Sequence, residues 1–137
     1  MPYTVIDHTA DTGVRVRAED LPGLFAEAAR AMFEQITDTR DVAADHVETV
    51  AVDGIDRTDL LINWLRELLY LFAGKGLLIK DVRIDTFDDR HVAGQAAGEP
   101  YDPQKHDIDT EIKAVTYYGA EVEPVPEGWA ATIIFDI

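Results

Sequence analysis

The alternation of apolar and polar residues near the start of the chain predicts two short strands followed by a helix. Residues 13–18 alternate with a period of two, which is typical of a half-buried strand, and the short run at 3–6 precedes them. From residue 21 to residue 36 the apolar positions recur at helical spacing. Asp20 suits the N-cap of this helix, and Pro22 falls in its first turn, where a missing N–H costs nothing.

A second alternation and a second helical pattern follow. Residues 46–53 resume the period of two and predict another strand. We expect the next helix to begin near Asp56 or Thr58 and to end at the glycines Gly74 and Gly76. This helix is apolar on more than one side, which predicts a central and well-covered position.

The remainder of the chain predicts strands alone. They are expected at about 77–87, 90–97, 110–118, 119–123 and 130–136. Because no helices separate these strands, the pattern argues against a doubly wound parallel sheet. The predicted fold class is α+β: a single two-layer domain over residues 1–137, with two main α-helices packed on one mixed or antiparallel β-sheet.

Composition narrows the chemistry that this protein can perform. The chain has no cysteine and no serine, so disulfides, thiolate metal sites and both of those nucleophiles are excluded. Its formal charge of −15, from 27 acidic and 12 basic side chains, repels phosphate backbones, and direct binding of nucleic acid is not expected. No apolar run reaches the roughly 18 residues of a membrane span, and we expect a cytoplasmic protein without a membrane partner.

The turn after the first predicted strand is rich in side chains that bind metals. The stretch "VIDHTADTG", residues 5–13, contains Asp7, His8 and Asp11. Asp7 suits a turn, and a histidine such as His8 commonly serves as a hydrogen-bonding brace. Asp11 is a second aspartate within four residues, which is more than a turn requires.

The other end of the sequence carries a second unusual carboxylate. Asp136 interrupts the apolar run of "ATIIFDI", where a carboxylate is costly unless it is paired or bound to a cation. The sequence ends at Ile137, which would place an α-carboxylate beside Asp136. If the two ends are neighbours, Asp11, Asp136 and Ile137 form an oxygen-only site suited to calcium, magnesium or manganese. The alternative is a frayed and solvated chain end.

A third candidate lies within "HDIDTEIKAVTYYG", residues 106–119. On the predicted strand, Glu111 and Lys113 share one face with Val115 and Tyr117. Such a Glu/Lys pair is commonly a surface pair of little energetic value. A lysine near carboxylates is also a way to present a positive charge to a phosphate.

Several segments, taken together and in order, resemble the archease family. They are "DHTAD" with "GVRVRAEDLPGLFAEAARAMF", then "GEPYDPQKH" leading to "EIKAVTYYG", and finally "GWAATIIFDI". The resemblance runs through essentially the whole chain. It implies a protein cofactor, without catalytic activity of its own, that activates the GTP-dependent RtcB-type RNA ligase of tRNA splicing.

The same resemblance implies how the activation works. The protein would promote guanylylation of the ligase histidine, allow multiple turnover and broaden the choice of nucleoside triphosphate. Contact with tRNA would be indirect, through the ligase.

The resemblance also assigns candidate site residues. It implies that Asp11, Asp136 and Ile137 bind a divalent cation, calcium in the first place, with magnesium or manganese as alternatives. It counts Lys113 among the functional residues, and we add Glu111, His8 and Asp7 as further candidates for ligase activation. The chain departs from the family pattern at Tyr118, where the motif commonly has histidine.

Two other functions fit the same residues. One is a metal-dependent hydrolase in which Asp11 and Asp136 hold a cation that activates water, with His8 and His106 as the candidate bases. The other is a chaperone-like domain with a structural metal, which would unfold when the metal is removed.

Overall fold

The computed structural model describes residues 3–7 and 11–137, apart from the side chain of Asp7. In this part of the chain, seven strands and two α-helices follow one another as β1 (Tyr3–Asp7), β2 (Asp11–Ala18), α1 (Leu21–Ile36), β3 (His46–Asp53), α2 (Arg57–Ala73), β4 (Leu77–Asp88), β5 (His91–Pro100), β6 (Ala114–Val125) and β7 (Gly128–Asp136). Among the described residues, neither helix is long and apolar enough to cross a membrane.

The strands form two antiparallel sheets. One has four strands in the order β1-β2-β7-β6, and the other has three in the order β3-β5-β4. Helix α1 packs chiefly on β4 and β2, and α2 packs chiefly on β6 and β3, so each helix contacts both sheets. The predicted α+β class is confirmed, and the strands divide between two sheets where the sequence indicated one.

Both helices begin at the aspartates that the sequence indicated. The carboxylate of Asp20 accepts a hydrogen bond of 2.7 Å from the backbone N–H of Gly23. The carboxylate of Asp56 accepts one of 2.8 Å from the backbone N–H of Asp59. Each bond satisfies a backbone donor that has no partner within its own helix.

Apolar side chains from both helices and both sheets form one hydrophobic cluster. Trp64 of α2 is fully buried in it. Its indole Nε1 donates a hydrogen bond of 3.2 Å to the carbonyl oxygen of Phe25 in α1. This bond satisfies the polar atom of a buried tryptophan and joins the two helices across the core.

The sequence prediction was wrong at the start of β6. Residues 110–113 lie outside any strand, and a single strand, β6, replaces the two predicted at 110–118 and 119–123. The pairing of β6 with β7 shifts register between Thr116 and Glu121, and Gly119 there has a positive φ of 72°. A bulge of this kind breaks the alternation without ending the strand, and the sequence pattern therefore suggested a boundary between two strands.

Candidate metal and partner site

The structure brings the two ends of the sequence together. Strand β7 is central in the four-stranded sheet and pairs antiparallel with β2, so that Asp11 lies directly opposite Asp136. Residues opposite each other in an antiparallel pair project from the same face, with Cβ atoms about 4.5–5.5 Å apart. The two carboxylates are therefore neighbours, while a metal-binding role for them stays a prediction.

The environments of the two carboxylates differ. The Oδ1 atom of Asp11 is buried and has no hydrogen-bond partner within the described residues. Asp136 is exposed, and Ile137 is 38% exposed. The expectation that burial makes Asp136 costly is thus wrong, because its neighbour Phe135 faces the core and Asp136 points away from it. The cost falls on Asp11 instead.

The arrangement fits a hard cation. Two like charges placed opposite each other on a sheet are destabilising, and a buried carboxylate oxygen without a partner adds to that cost. A divalent cation between Asp11 and Asp136 would relieve both. Throughout the described part of the chain, no three side chains of His, Asp or Glu converge. A cation here would therefore need main-chain oxygens, such as that of Ile137, and water as further ligands.

Two of the predicted site residues, Asp7 and His8, lie at a gap in the described residues. The backbone of Asp7 pairs with Thr12 at the end of β1, which places residue 7 at the same end of the sheet as Asp11. The side chain of Asp7 and the whole of His8 lie outside the described residues, so their proposed roles stay predictions.

Lys113 adjoins the carboxylate pair through the backbone. Its N–H donates a hydrogen bond of 2.8 Å to the carbonyl oxygen of Asp136. Lys113 and Glu111 are both exposed and precede β6. The prediction that they share a strand face with Val115 is wrong, because Val115 is fully buried. Across residues 3–7 and 11–137, the charged groups of Lys113 and Glu111 form neither a hydrogen bond nor an ion pair, with each other or with any other side chain.

His106, a candidate base for hydrolysis in the sequence analysis, is a hydrogen-bonded structural brace in the fold. It is buried, its Nδ1 accepts a hydrogen bond of 3.0 Å from the backbone N–H of Asp102, and its Nε2 lies 2.9 Å from Oε2 of Glu99. Because Nδ1 accepts, the proton is on Nε2 and is donated to the carboxylate. Both ring nitrogens are occupied, which removes His106 as a candidate base for hydrolysis.

The carboxylate of Glu99 accepts hydrogen bonds from three donors. Besides His106, it accepts hydrogen bonds from the ammonium of Lys105 at 2.9 Å and the backbone N–H of Ala43 at 2.7 Å. These bonds, that of Lys105 foremost, lower the pKa of Glu99 to about 2. Glu99 therefore fixes the segment "GEPYDPQKH", which leads into the lysine segment. The only signal for this in the sequence was the resemblance of that segment to the family.

A polar network also fixes β6 against α2. The Nε of Arg66 donates a hydrogen bond of 3.0 Å to the carbonyl oxygen of Val115, and the guanidinium lies 4.7 Å from the centre of the Tyr117 ring. The Tyr117 hydroxyl donates to Asp59, which lowers the pKa of that carboxyl and raises the pKa of the phenol. The adjacent Tyr118, at the position of the family histidine, is 83% exposed.

These features define a small α+β protein with a carboxylate pair and an exposed lysine at one end of a sheet. The chain belongs to the archease family: the model described as "Archease protein family (MTH1598/TM1083)" matches residues 3–137. The resemblance found in the sequence is thus confirmed.

Relatives and a solved structure match over nearly their whole length. The protein archease of Methanopyrus kandleri is 37% identical over 140 residues, with all of both chains covered. That of Pyrococcus furiosus is 37% identical over 135 residues, which cover 96% of this chain and 95% of the relative. The solution structure of Methanobacterium thermoautotrophicum protein 1598 matches with a TM-score of 0.83 and 35% identity, over 99% of each chain. The name "Protein archease" specifies no enzyme class.

Proposed function

We propose that this protein is an activating cofactor of an RtcB-type, GTP-dependent RNA ligase in tRNA splicing. It promotes guanylylation of the ligase, sustains multiple turnover and broadens the choice of nucleoside triphosphate. It has no catalytic activity of its own, acts in the cytoplasm and reaches tRNA only through the ligase. Membership of the archease family over residues 3–137 supports this proposal.

One structural observation carries the proposed site. Asp11 faces Asp136 across β2 and β7, and an oxygen atom of Asp11 is buried without a partner in the described residues. We propose that these carboxylates, with a main-chain oxygen of Ile137, hold a divalent cation. Oxygen ligands favour calcium, with magnesium or manganese as alternatives. When bound, the cation supplies positive charge at the surface beside Lys113.

The residues of the chain then have distinct tasks. Asp11 and Asp136 hold the cation and fix the ends of their strands. Lys113, which is tied to Asp136 through its backbone, presents an ammonium group beside the site. Glu111 lies two residues earlier and is exposed. We propose that Lys113, together with Glu111, His8 and Asp7, contacts the ligase and not the RNA, because the chain carries a formal charge of −15.

A hydrolase is less well supported by the same geometry. Hydrolysis by a cation-activated water needs a base within reach of that water. His106 is buried and both of its ring nitrogens are occupied by Asp102 and Glu99. A purely structural metal is the other alternative, and it predicts that removing the cation unfolds the protein.

The experiment that tests the proposal is RNA ligation with the ligase of the same organism and RNA in excess. We expect the ligase alone to complete about one turnover and the ligase with this protein to complete many. Asp136→Ala should abolish this gain, and Asp107→Ala, which removes an exposed aspartate elsewhere, should leave it unchanged. An unchanged number of turnovers with the native protein, using ligase and GTP of proven activity, would disprove the proposed function.

A further inference from the structure

Three exposed tyrosines adjoin the same pair of surface depressions. Tyr70, Tyr101 and Tyr117 have exposed fractions of 53%, 37% and 51%. They come from three parts of the chain: the end of α2, the segment after β5 and the start of β6. We call the surface formed by these tyrosines with Arg66 and Lys113 the tyrosine face.

The tyrosine face contains two adjoining depressions. Ala73 and Lys113 line both of them, so the depressions meet along this pair. The first, of about 390 Å³, has Arg66 and Tyr70 in its wall, with Leu69 beside them. Arg66 also stacks on Tyr117, which connects that ring to the depression.

The second depression is larger. It has a volume of about 550 Å³. Phe72, Tyr101, Ile108 and Ile112 supply its apolar surface, and Glu111 supplies a carboxylate. A cavity of this size and lining can accept an aromatic or branched side chain.

The two cations of the tyrosine face are available to a partner. The Nε of Arg66 is used by Val115, while Nη1 and Nη2 form no hydrogen bond to any described residue. Nζ of Lys113 likewise has no partner in the described part of the chain. In a protein with a formal charge of −15, two exposed cations beside exposed tyrosines differ from the mostly acidic surface.

We propose that the tyrosine face is the docking surface for the ligase, and this inference rests on the proposed function. The partner segment places one apolar side chain in the larger depression and a carboxylate against Lys113 and Arg66. Tyrosine and arginine are enriched where protein interfaces gain most of their binding energy. The face adjoins the carboxylate pair through the backbone bond from Lys113 to Asp136, so a docked ligase also meets the cation site.

The surroundings favour a protein partner over an RNA strand. The exposed carboxylates of Glu67 and Glu111 flank the face, and they would repel a phosphate backbone. A protein segment of mixed charge can pair with the cations and avoid the carboxylates.

The test compares variants of the tyrosine face with matched variants elsewhere. Tyr70→Ala removes an exposed ring of the face, and Ile55→Ala removes a side chain that is 79% exposed at the other end of α2. Lys113→Glu reverses an unpaired cation of the face, and Arg90→Glu makes the same charge change on an exposed residue that lies outside it. We expect the two face variants to raise the Kd for the purified ligase at least tenfold, and the two controls to change it less than twofold.

A second readout separates docking from the cation site. We expect Tyr70→Ala to raise the concentration of this protein that gives half-maximal ligation and to leave the plateau unchanged. Asp136→Ala should lower the plateau itself. If the native protein activates the ligase and Tyr70→Ala requires no higher concentration, the docking inference is wrong and the proposed function stands. If the native protein does not activate the ligase, both fail.

Two other occupants would overturn the proposal. Binding of a labelled single-stranded RNA to this protein alone, lost in Lys113→Glu and kept in Arg90→Glu, would make the face an RNA site. Sedimentation as a dimer that Tyr70→Ala dissociates would make it a contact between copies of this chain. We expect neither RNA binding nor a dimer at the concentrations used for ligation.

Discussion

Asp11, the first residue of β2, lies directly across from Asp136, the last residue of β7. Like charges directly opposite each other are unfavourable in a sheet, and one oxygen of Asp11 is also buried without a partner in the described residues. The fold tolerates this repulsion at one position. A cation bound by both carboxylates would replace this repulsion with attraction and connect the start of β2 to the end of β7.

The first prediction concerns the stability of Asp11→Asn with and without calcium. In chelator, the variant should be more stable than the native protein by about 0.2–1 kcal/mol, because one of two facing charges is removed. Calcium at 100 times its Kd should stabilise the native protein by about 2.7 kcal/mol and leave the variant unchanged. Thermal unfolding measures both effects, since 1 kcal/mol corresponds to roughly 2–4 °C in a domain of about 150 residues.

The matched control is Asp107→Asn, which neutralises an exposed aspartate away from the pair. It should keep the full calcium response and show no gain in chelator. A native protein whose melting temperature does not respond to calcium, magnesium or manganese would contradict the cation site. A variant that keeps the response would remove Asp11 from the ligands.

The second prediction concerns Lys113→Ala. Nζ of Lys113 has no partner in the described residues, so the variant should keep the native stability within about 0.5 kcal/mol. At a limiting concentration of this protein, ligation should fall about tenfold, the equivalent of ~1.4 kcal/mol for a lost charge-assisted hydrogen bond. Parallel melting curves and turnover counts test this directly. Turnover equal to that of the native protein would remove Lys113 from the functional residues.

Local signals in the sequence predicted the helices and the location of most strands. Asp20 and Asp56 have side chains that cap a helix, and the apolar spacing after each is helical. We also expected the two ends of the sequence to meet, and Asp11 does lie opposite Asp136, but the reason given for this, a costly burial of Asp136, is wrong because Asp136 is exposed. The inferences about the helices and strands required only residues that are neighbours in the sequence.

Features that depend on pairing between distant residues were not predictable. The division into two sheets is set by which strands become neighbours, and the alternation within a strand does not encode that choice. The bulge at Gly119 interrupts the period of two, and it was therefore mistaken for a boundary between two strands. The burial of His106 depends on how the loop after β5 folds back on Glu99.

The third prediction concerns the close approach of β4 and β5. A Cβ atom on Gly98 would lie 1.8 Å from the carbonyl oxygen of Leu78, which is rigid backbone. Gly98→Ala should therefore destabilise the protein by about 3 kcal/mol, the upper end of the range for overpacking, because the contacted group is backbone. Gly76→Ala is the control: its Cβ meets nothing within 4 Å, and only the φ of 71° makes it unfavourable, at a cost of about 1 kcal/mol. Urea unfolding of both variants measures the difference, and equal losses would contradict the predicted clash.

The fourth prediction concerns the acid stability that Glu99 provides. Hydrogen bonds from Lys105, Ala43 and His106 lower the pKa of Glu99 to about 2 in the folded protein, below its ordinary value of 4.5. The unfolded chain therefore binds the proton more readily, so this contribution is complete above pH 4.5 and is lost as the pH falls through about 2. The neutral amide of Glu99→Gln cannot titrate. We expect the difference in urea midpoint between the native protein and Glu99→Gln to shrink from pH 5 to pH 2, whereas a constant difference would show that Glu99 titrates alike in both states.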